Sequence, residues 1–185
     1  MKTILVCNQK GGVGKSLIAD EIAFSFERSG VPVSFYDLDA QGGTLHQTHE
    51  VDGAEVAVVD TPGALQEALA DWLKEADVVV IPTRTTSRDI EPLMRMRKAV
   101  FKHSRAKIVY VMNGWNRFKA SRDFMEWFDG LAGVQTVVTL PQSEAFVQAG
   151  AAEKSVVEYD KRGKAAQATV ELVNTVREAA GFPME

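Results

Sequence analysis

Asn8-Gln9-Lys10-Gly11-Gly12-Val13-Gly14-Lys15-Ser16 decides the fold. The run follows an apolar stretch, Ile4 to Cys7, that reads as a strand, and precedes Leu17 to Ser29, which reads as a helix. Strand, glycine-rich turn and helix are the setting of a phosphate-binding loop. Glycines let successive backbone N–H groups turn inward around a polyphosphate, and the helix N-terminus adds its dipole and its free N–H groups. In that setting Lys15 reaches the β and γ phosphates, and the Ser16 hydroxyl is a ligand for Mg²⁺. Gln9 stands where the general pattern G-x-x-x-x-G-K-[ST] has its first glycine, and a second lysine, Lys10, precedes the glycine pair.

The 185 residues suffice for one domain with a full core, taken as residues 1–185, with Gly181 to Glu185 expected as a loose tail. Apolar residues make up 45% and charged residues 25%, ordinary for a globular protein in water. The single cysteine, Cys7, has no partner for an internal disulfide and reads as a small buried apolar residue, which fits a reducing cytoplasm. No apolar run approaches the roughly 20 residues of a membrane span, and the N-terminus enters a strand without a signal peptide. His46, His49 and His103 show no metal-ligand spacing and read as surface residues.

Alternating apolar runs and helix-period segments give the rest of the architecture. The expected strands are Thr3–Cys7, Val33–Leu38, Glu55–Asp60, Val78–Pro82, Lys107–Asn113 and Thr136–Leu140. The expected helices are Gly14–Ser29, Ala64–Glu75, Arg88–Ser104, Ala120–Leu131, Ser143–Gln148 and Lys164–Ala180. Continuous Val and Ile runs suit strands covered on both faces. The expected fold is therefore α/β: a doubly wound, mainly parallel sheet with helices on both faces and ligands at the strand C-terminal ends.

Acids stand at two of those ends. Asp37 and Asp39 close the second strand, on the same side by alternation, and could position a water or a Mg²⁺ shell. A helix cap and a solvated acid is the plainer reading of the pair. Asp60 closes four apolar residues, Val56 to Val59, and its carboxylate would hold Mg²⁺ through a water. Asp60-Thr61-Pro62-Gly63 also reads as a D-x-x-G switch in which the Gly63 N–H senses the γ-phosphate.

The form K-G-G-x-G-K-[ST] resembles the deviant P-loop of the ParA/MinD family of ATPases. The resemblance covers nearly the whole chain, and is specific in the first 63 residues and loose afterwards. It implies an ATP- and Mg²⁺-dependent, slow, partner-stimulated ATPase that forms a homodimer with two sandwiched nucleotides. Residues Lys10, Gly11, Gly12, Val13, Gly14, Lys15, Ser16 and Leu17 would hold the nucleotide, and Lys10 would cross to the partner's phosphates. Asp37-Leu38-Asp39-Ala40-Gln41-Gly42 resembles the family's D-x-D-P-Q-G run, with Ala40 in place of proline. That makes Asp37 the water-positioning residue and Asp39 a support for metal or loop, though the two roles are not separable from sequence. Asn113 and the Pro141-Gln142-Ser143 loop are the residues implied to hold adenine; a turn residue is the bland reading of Asn113. Family members carry a longer insertion where this chain has only Ala40 to Ala54, room for one short helix over Thr44–Glu50.

Net charge is −4, but residues 84 to 122 carry eleven Lys/Arg against Asp89 and Glu91, a net of +9, which leaves −13 elsewhere. Such segregation suits a docking face. Arg88, Arg95, Lys98, Lys102 and Arg105 fall on one helix stripe, with Leu93, Met96, Val100 and Phe101 expected toward the sheet. Five like charges without acids four residues on disfavour an isolated helix, and DNA phosphates would compensate them. The alternative is a solvated basic face. ParA-type relatives bind DNA non-specifically as ATP dimers and work with a centromere-binding, ParB-like partner, so the resemblance implies a cytoplasmic, nucleoid-associated role in DNA partition. A MinD-like role on a membrane or scaffold would need a basic amphipathic C-terminal helix, which Glu171 to Ala180 does not supply. A metabolic P-loop enzyme would need a substrate pocket that the short connection leaves little chain to build. An electron carrier of the nitrogenase iron-protein type is excluded, because Cys7 alone cannot hold a cluster.

Overall fold

The computed structural model describes residues 1–39, 42–63, 67–131, 133 and 136–185, with the backbone only at residue 67. Six strands form one parallel sheet: β1 Lys2–Val6, β2 Val33–Asp37, β3 Val56–Asp60, β4 Val78–Thr83, β5 Lys107–Trp115 and β6 Thr136–Pro141. Their order is β2-β3-β1-β4-β5-β6. Seven helices accompany them: α1 Lys15–Arg28, α2 Glu67–Glu75, α3 Ser87–His103, α4 Lys119–Asp129, α5 Ala145–Ala151, α6 Val156–Tyr159 and α7 Lys164–Ala180. The six expected strands and the six main expected helices form within a few residues of their limits, and the first three residues expected of α2 lie outside the described set. The short α6 has too few residues to show a period and was not expected.

Strand alternation divides the core. Ile4, Val6, Val58, Val80 and Val111 face α1 and α7, while Leu5, Val59, Val79, Ile81 and Met112 face α2, α3 and α4. From β1 the chain leaves by α1 toward β2; from β4 it leaves by α3 toward β5. The adjacent β1 and β4 ends are therefore the point where the connections diverge, the natural crevice of an open α/β sheet.

Three local expectations are corrected. Residues 44–50 form no helix; they return beside β2, where Phe35 and His49 make an antiparallel bridge. With so little chain available, pairing to the edge strand satisfies the backbone sooner than a helix without a packing face would. His46 is not a surface residue: its side chain is 8% exposed, held between Asp20 and Glu27 and against the rings of Phe24 and Phe35. The 181–185 tail is tied down. Phe182 packs edge-on against Phe26, Pro183 accepts from Arg177 Nε at 2.7 Å, and Glu185 pairs with Arg28 at 2.8 Å. Arg177 is itself buried, donating to the Ser25 carbonyl and the Ser29 hydroxyl with its guanidinium over Phe26. Cys7 is buried as expected, and burial pushes its thiol up to about 12, an inert value. Among the described residues no helix is long and apolar enough to cross a membrane.

Phe182→Ala removes the ring that anchors the tail. It should cost about 1–2 kcal/mol of stability, read as a lowered denaturant midpoint; an unchanged midpoint would mean the tail contributes nothing.

Candidate functional site

The Gly-rich loop sits in the crevice between β1 and β4. Gly12 and Gly14 take positive φ, 71° and 96°, and Gly14 is the residue from which α1 departs. Two buried asparagines brace this turn. Asn8 donates to the Pro82 carbonyl at the end of β4 at 2.7 Å and accepts from Lys10 N at 3.1 Å. Asn113, at the end of β5, donates to the Val13 carbonyl at 2.9 Å. A Cβ at Gly14 would overlap that Asn113 amide, so glycine is required there for space as well as for φ.

The loop borders a cavity of about 560 Å³ lined by Gly11, Gly12, Lys15, Ser16, Asp39 and Gly63 among others. Lys15 is buried and its ammonium reaches its own loop, 3.4 Å from the Lys10 carbonyl. A second cavity of about 400 Å³ is lined by Leu17, Arg84, Asn113, Gly114, Pro141 and Gln142 among others. Leu17 borders both. The first suits a polyphosphate and the second has the position of a base pocket. The Asn113 side-chain amine is engaged by the loop, which makes Asn113 a brace for the turn as well as a wall of the second cavity.

The carboxylates converge as the strand register dictates. Asp37 and Asp60 are paired neighbours at the ends of β2 and β3. Asp60 is fully buried and neither of its oxygens receives a hydrogen bond among the described residues. Burial pushes its carboxyl up to about 6, against the pull of the nearby Ser16 hydroxyl and the Lys15 ammonium. An unsatisfied buried carboxylate beside a P-loop serine fits the donor set of a Mg²⁺ site that is completed by water and phosphate oxygens. Asp37 is satisfied: Oδ1 accepts from Asp39 N at 2.9 Å and Oδ2 from the Thr44 hydroxyl at 2.8 Å. Asp39 lines the phosphate cavity, and the Ala40 position lies outside the described residues. Gly63 lies against the loop itself: a Cβ added there would come 3.3 Å from the Gln9 carbonyl.

Lys10 folds back within its own chain. Its ammonium makes a 2.6 Å pair with Asp89, whose carboxylate is 1% exposed, and lies 3.4 Å from the Arg88 carbonyl. That carbonyl is open because Pro92, inside α3, has no N–H to return to it. Asp89 also accepts from the Thr86 hydroxyl. In the sequence Asp89 reads only as one of two negatives in a basic segment; a buried acid opposite a glycine-loop lysine shows only once β1 and β4 are neighbours.

Arg88, Arg95, Lys98, Lys102 and Arg105 are all exposed, as a stripe requires. Three details differ from the expectation, the first being that α3 ends at His103 and leaves Arg105 beyond the helix. Arg95 pairs with Glu91 at 2.5 Å, one turn earlier, and Phe101 is 60% exposed, its ring lying over the buried Arg97 rather than the sheet. Phe101 lies one position beyond Val100 and so just outside the apolar stripe that Leu93, Met96 and Val100 define.

Asp60→Asn should separate the two consequences of this burial. Ionising Asp60 in the fold is unfavourable, and the cost is absent below pH 4 and complete above about pH 6. The variant should stabilise the nucleotide-free protein by roughly 3 kcal/mol at pH 7.5 and little at pH 4, while abolishing the Mg²⁺ dependence of nucleotide binding. An equal melting shift at both pH values would refute the assignment.

Comparison with known proteins agrees with the loop. Residues 4–156 match the model of the CobQ/CobB/MinD/ParA nucleotide binding domain. A ParA protein of Rhizobium radiobacter is 29% identical over 115 residues, 48% of this chain and 51% of the relative. The IncC protein of Escherichia coli is 50% identical over 46 residues, 25% of this chain and 13% of the relative. The matched stretch thus spans about half of the first relative and less of the second. In fold, the chain matches a single-substitution variant of Cyanothece McdA in complex with ATP with a TM-score of 0.81 at 15% identity, covering 100% of this chain and 98% of that one. It matches Pyrococcus horikoshii MinD complexed with Mg-ADP with a TM-score of 0.74 at 16% identity, covering 97% of each. The loop, the parallel sheet that carries it and the family match together place this chain in the CobQ/CobB/MinD/ParA family of nucleotide-binding proteins.

Proposed function

We propose that the chain is a ParA-type ATPase that binds ATP and Mg²⁺, dimerises in that state, docks on DNA without sequence preference and releases it on hydrolysis, in service of DNA partition. The observation that carries this reading is the placement of α3. One end of the helix, at Asp89, holds the P-loop lysine Lys10; the body and far end carry the basic stripe. The same helix therefore contacts the nucleotide loop and presents the cations.

The division of labour follows from the site. Bound Mg-ATP supplies the γ-phosphoryl group and the cation that neutralises it. The backbone N–H groups of Gly11 to Gly14 and the ammonium of Lys15 hold the phosphates. Ser16 and Asp60 hold the cation, Asp37 orients the attacking water, and Asp39 supports the loop. Asn113, Pro141 and Gln142 border the base. Lys10 must leave Asp89 to reach a second subunit's phosphates, so dimerisation and the position of α3 are linked in one contact.

The stripe supports DNA over a merely solvated face. Among the described residues, Lys98, Lys102 and Arg105 have no acidic partner within 4 Å. Arg105 continues into an open cavity of about 680 Å³ at the N-terminal rim of the sheet, bordered also by His103, Lys107, Lys2 paired with Asp77 and Lys74 paired with Asp71. Cations concentrated this way on a chain of net charge −4 fit a phosphate backbone. A MinD-like membrane role is less favoured because the apolar face of α7 is spent on the sheet, through Leu172, Val173 and Val176. A ParB-like protein remains the proposed stimulating partner.

Titrating arbitrary duplex DNA without nucleotide, with Mg-ADP and with Mg-ATP, across a salt series, tests the reading. Binding confined to Mg-ATP and steeply weakened by salt is expected. Lys102→Glu combined with Arg105→Glu should weaken it more than tenfold and make the salt slope shallower by about two, with ATP affinity unchanged. Nucleotide-independent binding, or none in any state, would overturn the DNA role.

A further inference from the structure

The short connection after β2 is built as a holder for one carboxylate. Every polar atom of Asp37 that faces this connection is engaged by it: Oδ1 by Asp39 N, Oδ2 by the Thr44 hydroxyl, and the backbone N–H by Thr48 Oγ1 at 3.0 Å. The Thr44 hydroxyl has one proton and two acceptors, each at 2.8 Å: the Asp37 carboxylate and the His46 carbonyl. The ionised acceptor takes the larger share of it, while the carbonyl fixes where Thr44 sits.

His46 in turn is clamped to the helix that begins at the P-loop. The Asp20 carboxylate, on α1, accepts from Leu45 N at 2.8 Å and from His46 N at 3.0 Å, and lies 2.7 Å from His46 Nδ1. Glu27, two turns along α1, lies 3.3 Å from Nε2. The ring is stacked on Phe35 of β2 and set edge-on to Phe24 of α1. Burial alone would lower the imidazole pKa; the two carboxylates outweigh it and hold the pKa above its ordinary value. Beyond His46 the segment pairs with the sheet edge, with the Phe35–His49 bridge and Val51 N on the Ser34 hydroxyl at 2.9 Å. Asp37 is thus joined to α1 through Thr44, His46 and Asp20, independently of the sheet.

We propose that Thr44 and His46 are positioning residues for Asp37: the Asp20–His46–Glu27 clamp fixes Thr44, and Thr44 aims the Asp37 carboxylate for the hydrolytic step. This rests on the reading that Asp37 orients the attacking water. It assigns to fifteen residues the support that a longer insertion would otherwise provide. Thr44 touches neither nucleotide cavity among the residues lining them, so its effect belongs on turnover and not on affinity.

The test compares Thr44→Val, Thr44→Ser, His46→Gln and Asp37→Asn in the full chain with Mg-ATP, measuring kcat, KM and nucleotide Kd, with amide hydrogen exchange of residues 42–51 as a readout that needs no turnover. Thr44→Val should lower kcat about tenfold or more with KM and Kd within a factor of two, and Thr44→Ser should restore it. His46→Gln should speed exchange at the Leu45 and His46 amides and lower kcat in parallel. If Asp37→Asn abolishes turnover while Thr44→Val turns over at the wild-type rate, the positioning role is wrong and the Asp37 reading survives. If Asp37→Asn turns over normally, both fall together. A loss in Thr44→Val that appears equally in Kd would also refute the proposal, since it would show collapse of the nucleotide site.

Discussion

A backbone turn that glycine permits and two asparagines hold is the constraint on which the rest of the molecule depends. Gly12 and Gly14 carry the loop through positive φ, which glycine adopts freely but which leaves the turn loose by itself. Asn8 and Asn113 supply the rigidity by fastening the loop to the ends of β4 and β5, the strands on the far side of the crevice. The loop is thereby tied to β4 and β5 as well as to β1, the strand that leads into it. Lys15, Ser16 and Gly63 then arrive at one cavity, with Asp60 buried close by, because β1 and β3 are parallel neighbours in fixed register.

Electrostatics at the crevice is arranged around unequal burdens. Asp60 is buried with no hydrogen bond among the described residues and is destabilising to ionise, a burden that a bound cation would relieve. Asp89 is equally buried but is compensated by Lys10. A buried acid that loses its cation is strongly disfavoured, so drawing Lys10 toward another subunit must be matched by new contacts for the lysine and by movement or rehydration at the start of α3. This gives a physical route from the phosphate loop to the basic stripe, over one helix.

Much of this was legible in the chain. The strands announce themselves as Val and Ile runs, and the P-loop by spacing, because both depend on residues adjacent in sequence. Asp37 and Asp60 were legible for the same reason, as acids that end apolar runs. What the chain concealed depends on distant partners. His46 looked like a surface histidine because Asp20 and Glu27, which clamp it, lie about two helical turns apart and 19 or more residues away. The 44–50 segment has helix-compatible composition, yet the unpaired edge of β2 offered it hydrogen bonds. The tail seemed loose because nothing near it announces that Arg177 is buried and seeks the Pro183 carbonyl. Asp89 seemed incidental until the order β1-β4 placed it opposite Lys10.

The central claim is that nucleotide changes what this chain assembles with, through Lys10 and the phosphate loop. Sedimentation velocity of the full chain without nucleotide, with Mg-ADP and with a slowly hydrolysed Mg-ATP analogue tests it most directly, alongside Lys15→Ala and Lys10→Ala. The account predicts a monomer in the first two states and a dimer in the third. It predicts no dimer for Lys15→Ala, and for Lys10→Ala nucleotide binding without a stable dimer. A dimer that forms in Lys15→Ala, or a wild-type oligomeric state indifferent to nucleotide, would contradict it.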